Sequence, residues 1–223
     1  MIISIIIPTL NEEAHIKNTV LPLQYFRKKG HEIILVDGGS MDSTREIGEE
    51  LADKIILSAP GRAKQMNLGA LNATGDVLLF LHADTMLPEN VDSIIVDNID
   101  NELVWGCFTL HLSGERYIFR VIEYFINLRS KYSGIATGDQ GIFITKKLYK
   151  LVEGYPDFPL MEDIAICQLL KSNSKPVFLG DHLVSSSRRW EEKGVFKTII
   201  LMWKLRLQYW LGVAPDKLAK MYE

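Results

Sequence analysis

The sequence predicts an α/β protein with a doubly wound, mostly parallel sheet that has helices on both faces, a smaller mixed part and a C-terminal helix. Three observations support this fold class. Strand-like and helix-like segments alternate about every 25 residues over residues 1–90, as in repeated strand–helix units. The strand-like segments are continuous aliphatic runs, typical of strands covered on both faces. No internal repeat, low-complexity segment or Pro/Gly-rich linker interrupts the chain of 223 residues.

The elements of residues 1–90 each have their own signal. The β-branched run Ile2–Ile7 predicts the first strand, and apolar residues at helical spacing over 16–23 predict the helix after it. Ser43 and Glu46 match a capping box, which predicts that a helix begins there. The other elements predicted in this half are strands at 32–39, 54–58 and 76–81 and a helix at 61–75.

After residue 88 the pattern becomes mixed, which predicts the smaller second part. Predicted here are strands at 104–112, 176–179 and 183–187, helices at 117–132 and 160–172, and a C-terminal helix. We expect a single domain over residues 1–223, since a chain of this length can bury one sizeable core.

Composition and charge describe an ordinary soluble chain and argue against several classes of protein. Hydrophobic residues make up 47% and charged residues 24%, and the net charge of −3 argues against nucleic-acid binding. The two cysteines lack a CxxC spacing, which indicates reduced thiols in a cytoplasmic protein. The apolar N-terminal run is too short for a signal peptide and lacks its basic residues. The sequence contains no run of about 18 apolar residues, so no membrane-spanning helix is predicted.

Acidic residues follow three of the predicted strands. Glu12, Asp37 and Asp84 come after the first, second and fourth strands. Because the carboxyl ends of parallel strands meet at one edge of a sheet, we expect these acids on one ligand-binding rim. The pair Gly38 and Gly39 suits a turn where the backbone approaches a ligand closely. The chain contains neither GxGxxG nor GxxxxGK[ST], which argues against a dinucleotide-binding Rossmann enzyme and a P-loop protein.

Four segments in this order resemble a family 2 glycosyltransferase of the GT-A fold: SIIIPTLNEE, ILVDGGSMDST, GRAKQMNLGALNATGDVLLFLHADT and LMEDI. The resemblance spans residues 2–190 and implies a nucleotide-sugar donor (UDP or GDP), inversion at the sugar, and Mg²⁺ or Mn²⁺ as cofactor. It also implies a nucleotide-sugar-binding half (1–90), an acceptor and catalytic half (91–190) and an amphipathic tail (191–223).

The resemblance implies roles for individual positions. Asp37 corresponds to the acid that contacts the base, Asp84 to the acid that binds metal and diphosphate, and Asp163 to the catalytic base. Glu162 is a second catalytic candidate, with an orienting or acceptor-binding role. The other donor-binding candidates are Pro8, Thr9, Asn11, Glu12, Gly38, Arg62, Gln65, Asn67 and His82. The candidates on the acceptor or diphosphate side are Asp139, Gln140, Arg188, Arg189 and Trp190.

These residue types suit the chemistry of sugar transfer. Negative charge grows on the phosphates of the leaving nucleoside diphosphate, and a hard divalent cation with oxygen ligands neutralises it. A carboxylate then takes the proton of the attacking acceptor hydroxyl, a contribution of about 10² to 10⁴ in rate.

Two departures from the family pattern weaken the expected metal site. The acidic motif of the family has only its last acid here, in His82-Ala83-Asp84. The metal-binding histidine of many relatives corresponds to a position near Ser186, and His182 is expected at the wrong end of its strand. SSRRW resembles the QxxRW signature of processive relatives, but Ser186 replaces its glutamine, which argues against processive polymerisation.

Two other functions remain open on the sequence alone. The incomplete metal motif suits a catalytically silent nucleotide-sugar-binding or scaffold protein. A sugar nucleotidyltransferase would share the sheet, but it needs a basic Gly-rich loop after the first strand, where this chain has PTLNEE.

Two aromatic-rich helical stretches, 117–128 and 195–213, are amphipathic. Their polar stripes are Arg120, Glu123 and Asn127 in the first, and Lys197, Lys204 and Gln208 in the second. Such helices pack on their own domain, form a homodimer, or lie at a membrane surface, and all three alternatives stay open. We hypothesise a lipid-linked acceptor at the inner face of a membrane, with Lys197, Lys204 and Arg206 available to anionic headgroups.

Overall fold

The computed structural model describes residues 1–222, and its first half is the expected parallel sheet. The strands are β1 (Ile3–Thr9), β2 (Glu32–Asp37), β3 (Lys54–Leu57) and β4 (Val77–Phe80). The helices between them are α1 (Glu13–Lys28), α2 (Thr44–Leu51) and α3 (Arg62–Asn72). β1 pairs in parallel with β2 and β4, and β3 pairs in parallel with β2. The predicted α/β class and the parallel pairing of this half are confirmed.

The predicted capping box at the start of α2 does not form. α2 begins after Ser43, as expected, but the Ser43 side chain makes no capping hydrogen bond. The Ser43 backbone N–H instead donates to Glu13 Oε2 of α1 (3.0 Å). A hydrogen bond between α1 and the start of α2 therefore replaces the capping hydrogen bond within α2 that the sequence suggested.

The second half extends the same sheet to eight strands. Its strands are β5 (Thr85–Met86), β6 (Trp105–Leu112), β7 (Ile142–Thr145) and β8 (Val177–Ser185). The spatial order is β3-β2-β1-β4-β7-β6-β8-β5, with β7 antiparallel to both β4 and β6. The two strands predicted at 176–179 and 183–187 are one strand, a correction. β8 stays beside β6 across an irregularity at Phe108/Thr109, where its register shifts from Leu179 to His182.

Seven further helices complete the described part of the chain. They are α4 (Val91–Asp97), α5 (Tyr117–Ser133), α6 (Lys146–Leu151), α7 (Glu162–Lys171), α8 (Arg188–Lys193), α9 (Val195–Trp210) and α10 (Pro215–Tyr222). The single C-terminal helix expected from the sequence is thus divided into three. Gly194 and Gly212 separate its parts with φ values of 82° and 84°, which L side chains rarely adopt.

Two apolar clusters cover the two faces of the sheet. Alternate residues of β1 belong to different clusters, Ile5 to one and Ile6 to the other, as the two-residue period of a strand requires. Cys107 and Cys167 are buried free thiols in the second cluster, in agreement with the sequence. A third, small cluster of Met161, Leu205 and Leu218 attaches α9 and α10 to the start of α7.

The polar stripe of α5 faces the sheet. The Asn127 side chain accepts from the Leu110 N–H (2.9 Å) and donates to the Leu110 carbonyl (3.0 Å). Glu123 accepts from the Leu112 N–H, and Arg120 Nη2 donates to the Leu112 carbonyl (2.6 Å). β6 pairs with β7 only over its first three residues, so these side chains satisfy backbone groups that lack a strand partner there.

The opposite side of α5, and much of α9, exposes large apolar side chains. They are Tyr117, Tyr124, Phe125 and Tyr132 on α5, and Phe196, Ile200, Trp203, Leu207 and Trp210 on α9. Trp203 is 74% exposed, so packing on the domain does not account for this residue. Over residues 1–222, every helix is too short or too polar to cross a bilayer.

Candidate active site

A cavity of about 1260 Å³ opens at the carboxyl ends of β1 and β4, where ligands of such sheets bind. The predicted residues that line it are Pro8, Thr9, Glu12, Arg62, Gln65, His82, Asp84, Asp139, Glu162, Asp163, Arg188, Arg189 and Trp190. Five predicted residues lie outside its wall: Asn11, Asp37, Gly38, Asn67 and Gln140. The structure thus brings both predicted carboxylate groups, Asp84 and the pair at 162–163, to one cavity.

Asn11 and Asp37 hold together the loops that border the cavity. Asp37 Oδ2 accepts from the backbone N–H groups of Gly39 (3.0 Å) and Ser40 (2.9 Å). Asn11 adopts a φ of 54°, uncommon for a residue with a side chain, and its Oδ1 accepts from the Met41 N–H (2.9 Å). The side chains of Asn11 and Asp37 therefore stabilise the loops at the cavity rim without lining the cavity.

Gln65 joins the ends of the first two strands beneath the cavity. Its Nε2 donates to the backbone carbonyls of Thr9 (2.8 Å) and Val36 (2.7 Å). A Cβ at Gly38 would lie 3.1 Å from the same nitrogen. The glycine predicted for a close ligand approach therefore makes room for this buried amide.

Two predicted site residues point away from the cavity. Asn67 Oδ1 accepts from the Tyr149 hydroxyl (2.5 Å) and the Tyr155 N–H (2.9 Å), which links α3 to the segment after α6. Gln140 Oε1 accepts from the Thr137 N–H (3.1 Å) as part of a capping box. Both amides shape the loops around the site from outside its wall.

Gly138 lies tightly between two site residues. A Cβ at this position would come within 2.2 Å of His82 Nε2 and 3.1 Å of Asp163 Oδ2, so a side chain does not fit. Burial, assisted by the positive charge of Arg62, lowers the pKa of His82 to about 3. The imidazole is therefore neutral at physiological pH and can only donate or accept hydrogen bonds.

Asp163 has the environment of a general base. The Gly138 N–H donates to its Oδ2 (2.8 Å), which fixes the carboxylate. Burial, followed by the negative charge of Glu162, raises the pKa of Asp163 to about 7 in spite of the opposing charge of Arg62. Met161, just before α7, has a φ of 69°, and such strained backbone often occurs at functional sites.

Glu162 lies beside Asp163 and is almost completely buried. It lines the same cavity, and Arg62 Nη1 lies 3.9 Å from its Oε1. Glu162 thus lies beside both Arg62 and Asp163, a position that an orienting role would require.

Asp84 and Glu12 place two carboxylates in the cavity wall, after β4 and β1. Asp84 follows β4, as predicted, and the Thr85 hydroxyl lies 3.5 Å from its Oδ1. Burial raises the pKa of Glu12, the Arg188 charge opposes this, and the Asp84 charge adds to it. Glu12 Oε2 is buried and finds no hydrogen-bond partner among residues 1–222. An oxygen-binding cation or its bound water would satisfy such an atom.

The carboxylates nevertheless do not form a complete protein cage for a metal. Within the described chain, three or more His, Cys, Asp or Glu side chains nowhere come together as a metal site. His182 is exposed on β8 and outside the cavity, whereas Ser186 lines it. One or two carboxylates together with substrate phosphates are a usual ligand set for Mg²⁺, so the residues present fit a cation that arrives with the donor.

The SSRRW segment forms the start of α8 at the cavity mouth. Arg188 Nη1 lies 2.5 Å from His15 Nε2, and Arg188 Nη2 lies 3.9 Å from Glu12 Oε2. The Arg189 guanidinium stacks over the Tyr222 ring, 3.9 Å from its centroid. Trp190 packs against the first apolar cluster and also lines the cavity. These residues can contact a polyanion, as expected, but their contacts also join the tail to the rim.

Sequence reasoning missed three residues of the site. Gly138 precedes the predicted residue Asp139, but no role was predicted for Gly138 itself. Arg129 of α5 and Arg206 of α9 line the cavity as well, and Arg206 had been expected at membrane headgroups. A single arginine inside an apolar helical stretch was the available signal, since burying an unpaired charge is costly.

A model of the family described as glycosyl transferase family 2 matches residues 4–152 of the chain. Asp163 and the whole C-terminal tail lie beyond this match. The matched part contains the β1 and β4 strand ends that line one side of the cavity.

Two curated relatives match only part of the chain. The PGL/p-HBAD biosynthesis glycosyltransferase of Mycobacterium tuberculosis is 36% identical over 115 residues, 46% of this chain and 45% of the relative. The dolichol-phosphate mannosyltransferase of Pyrococcus furiosus is 31% identical over 108 residues, 45% of this chain and 31% of the relative. The matches thus span less than half the length of either relative.

The structural comparison covers nearly the whole chain. The mannosyltransferase PcManGT from Pyrobaculum calidifontis, solved in complex with GDP-Man and Mn²⁺, superposes with a TM-score of 0.67 at 17% identity. The match covers 99% of this chain and 68% of that one. At this identity the similarity establishes the fold, which is the GT-A fold expected from the sequence.

Proposed function

The chain belongs to glycosyl transferase family 2, and we propose that it is a glycosyltransferase that transfers a sugar with inversion from a UDP- or GDP-sugar to an acceptor hydroxyl. Asp163 is the base in this proposal. The observation that supports it most is the Asp163 carboxylate, held by the Gly138 N–H at the cavity wall with a pKa raised to about 7. A base with a pKa near the working pH is the effective one for proton transfer.

The donor occupies the β1, β2 and β4 side of the cavity in this proposal. The loops held by Asn11 and Asp37 surround the base and ribose, and Arg62, Arg188 and Arg189 face the diphosphate. Guanidinium groups bind phosphate oxygens with two parallel hydrogen bonds, which suits them to a leaving diphosphate. Residues 1–90 thus act as the donor-binding half, 91–190 provide the base, and 191–222 close the cavity.

Asp84, with Glu12 beside it, would hold a divalent cation, Mg²⁺ or Mn²⁺. Such a cation supplies charge neutralisation to the departing nucleoside diphosphate. Within the protein itself, Asp84 positions the donor phosphates, Glu162 faces Arg62, and Asp163 accepts the proton of the acceptor hydroxyl.

We also propose that the acceptor is lipid-linked and that the protein touches a membrane surface. Support comes from the exposed aromatic side chains of α5 and α9 and from Lys197 and Lys204, both exposed on α9. Interfacial helices combine such an apolar face with basic flanks. One relative is named as a mannosyltransferase of dolichol phosphate. A homodimer through the same residues is the competing proposal, and vesicle binding distinguishes the two.

The catalytically silent alternative and the nucleotidyltransferase alternative both lose support. Membership of the transferase family argues against each, and the acidic loop after β1 offers no basic Gly-rich segment for a nucleoside triphosphate.

Thermal unfolding with nucleoside diphosphates tests the proposed donor class. We expect UDP or GDP with Mn²⁺, at 100 times its dissociation constant, to raise the free energy of unfolding by about 2.7 kcal/mol. The matching UDP- or GDP-sugar should then release its nucleoside diphosphate slowly in water, whereas a silent binder releases none. Absence of any stabilisation by either nucleotide would refute the donor assignment.

A further inference from the structure

Two arginines that the donor does not need face each other across the far side of the cavity. Arg129 of α5 and Arg206 of α9 both line the large cavity and also a smaller neighbouring pocket of about 550 Å³. The smaller pocket has neither Glu12 nor Asp84 in its wall, so the two guanidinium groups lie on the side of the cavity away from these carboxylates. In the proposed function this is the acceptor side. The charges of Asp139 and Asp163 raise the pKa of Arg206, against the effect of burial.

Neither guanidinium has a partner that balances its charge. Among residues 1–222, no carboxylate oxygen lies within 4.0 Å of either group, and Arg206 makes no hydrogen bond. Arg129 Nη2 donates only to the hydroxyls of Ser130 (3.2 Å) and Thr137 (3.4 Å), and its Nε is buried without a partner. Burial lowers the pKa of Arg129 to about 10, and the nearby Arg206 charge adds to this effect.

The acids around the two arginines compensate for this only in part. The charge of Asp139 acts on both arginines and that of Asp163 on Arg206, but neither acid forms a salt bridge with a guanidinium in the described chain. Asp139 Oδ1 is itself buried without a hydrogen-bond partner in the described chain. Asp163 has a raised pKa, so at neutral pH it is only partly ionised. Two partly buried cations that repel each other, one of them with a buried Nε that has no partner, are incompletely compensated in the empty protein, which indicates that an anion completes the site.

Resting on the proposed function, we propose that Arg129 and Arg206 form a subsite for a phosphate group of the acceptor. Two guanidinium groups that converge on one cavity match the oxygens of a phosphate, each by paired hydrogen bonds. A phosphate oxygen is already ionised and would need no base. The presence of Asp163 therefore indicates that the nucleophile is a separate hydroxyl of the same molecule. The acceptor class is a phosphate ester that carries a free hydroxyl.

The cavity next to this subsite is apolar. Its wall there consists of Ile122, Phe125 and Ile126 of α5 and Ile199, Met202 and Trp203 of α9. A phospholipid bound through its headgroup phosphate would place its hydrocarbon chains along this apolar wall. A soluble phosphate ester would leave the wall without a contact. Both sources present the same phosphate to the arginines.

Calorimetric titration of inorganic phosphate, with UDP or GDP and Mg²⁺ saturating the donor side, tests the subsite. We expect phosphate to bind the parent, and Arg206→Gln and Arg129→Gln to weaken this binding at least tenfold. Arg45→Gln is the matched control, since Arg45 is exposed on α2 and outside both cavities. Nucleotide affinity should stay within threefold of the parent in all three variants, so loss of phosphate binding is separable from failure of the donor proposal.

Thermal unfolding provides a second readout if a variant folds poorly. Removing a partly buried charge that has no salt-bridge partner should leave Arg206→Gln at least as stable as the parent without phosphate, and phosphate should raise the Tm of the parent alone. Arg206→Lys should retain part of the phosphate effect. Unchanged phosphate affinity in both glutamine variants, no phosphate binding by the parent, or an equal loss of nucleotide and phosphate affinity would each overturn the proposal.

Two soluble probes distinguish the sources of the phosphate. Dihexanoyl phosphatidylglycerol below its micelle concentration presents short chains, and glycerol 3-phosphate presents none. At least tenfold tighter binding of the lipid, lost in Arg206→Gln, supports a phospholipid acceptor. Equal binding of both, also lost in Arg206→Gln, supports a soluble phosphate ester. Binding of both that is insensitive to Arg206→Gln contradicts the subsite.

Discussion

At the scale of single residues, the proposed base Asp163 has a raised pKa that costs stability. Its pKa in the folded protein, about 7, lies above the ordinary value of 3.8 for an aspartate. The folded state therefore binds a proton more tightly than the unfolded state. The stability that this proton provides is complete below pH 3.8 and is lost as the pH rises through about 7. The carboxylate is thus least favourable for folding in its ionised form, which is the form that the proposed mechanism requires.

Asp84→Ala should remove the metal-dependent part of nucleoside-diphosphate binding while the fold survives. Asp84 is half-buried at a strand end, and its loss removes the carboxylate nearest to the expected phosphates. Calorimetry with and without Mn²⁺ should show the metal enhancement reduced roughly tenfold or more. Asp97→Ala, at an exposed position on α4, is the control. An equal increase in nucleotide affinity on addition of Mn²⁺ in Asp84→Ala and in the parent would contradict the assignment of Asp84 as a metal ligand.

The sequence predicted the location of site residues that directly follow a strand. It did not predict the location of residues whose side chains are held by contacts far away in the chain. Asp84 reaches the cavity because it follows a parallel strand. Asn67 was also predicted to line the site, but its amide binds Tyr149 and Tyr155, which are more than 80 residues away in sequence. Gln140 is similarly taken up by its own turn. Arg206 was assigned to a headgroup because the sequence does not show which side of α9 faces the cavity.

At the scale of elements, α5 turns polar as well as apolar side chains to the protein. Its polar stripe binds the unpaired backbone of β6, and Phe119 and Ile122 join the first apolar cluster. Other apolar residues of α5 face the cavity and the surface. The spacing of Arg120, Glu123 and Asn127 was visible in the sequence. Which side faced the protein was not, because that depends on where β7 ends beside β6.

Trp203→Glu tests whether the exposed apolar residues of α9 bind a membrane. Trp203 is 74% exposed, so the charge should leave folding intact while it reduces insertion into the interface. We expect the parent to co-sediment with anionic phosphatidylglycerol vesicles at low salt, and high salt to weaken this.

The matched control for this experiment is Leu71→Glu, an equally drastic change at an 81% exposed residue of α3. It should sediment like the parent, whereas Trp203→Glu should stay in the supernatant. Failure of the parent to sediment, together with a concentration-dependent dimer that Trp203→Glu dissociates, would favour the homodimer instead.

At the scale of the whole molecule, the first half of the fold was predictable and the closure of the sheet was not. Each strand–helix unit of residues 1–90 has a local signal, and right-handed parallel crossovers then leave few arrangements. β7, β8 and β5 pair with partners far away in sequence, as in the contact of Thr85 with Ser185. Neither the two-residue strand β5 nor the insertion of β7 between β4 and β6 has a periodic signal.

The activity of Asp163→Asn tests the central claim that this carboxylate is the base of a sugar transfer. The measurement is nucleoside-diphosphate release from the donor that the protein binds, over pH 5 to 9, with donor affinity measured in parallel. For the parent we predict a rate that rises with pH through an apparent pKa near 7, because the ionised carboxylate is the active form. Asp157→Asn, an exposed surface acid outside the cavity, should behave like the parent.

For Asp163→Asn we predict a rate lower by roughly 10² or more, no rise with pH near 7, and donor affinity within a few-fold of the parent. Turnover within threefold of the parent that keeps the same pH dependence would contradict the account, and Asp163 would then be only an acid at the start of a helix.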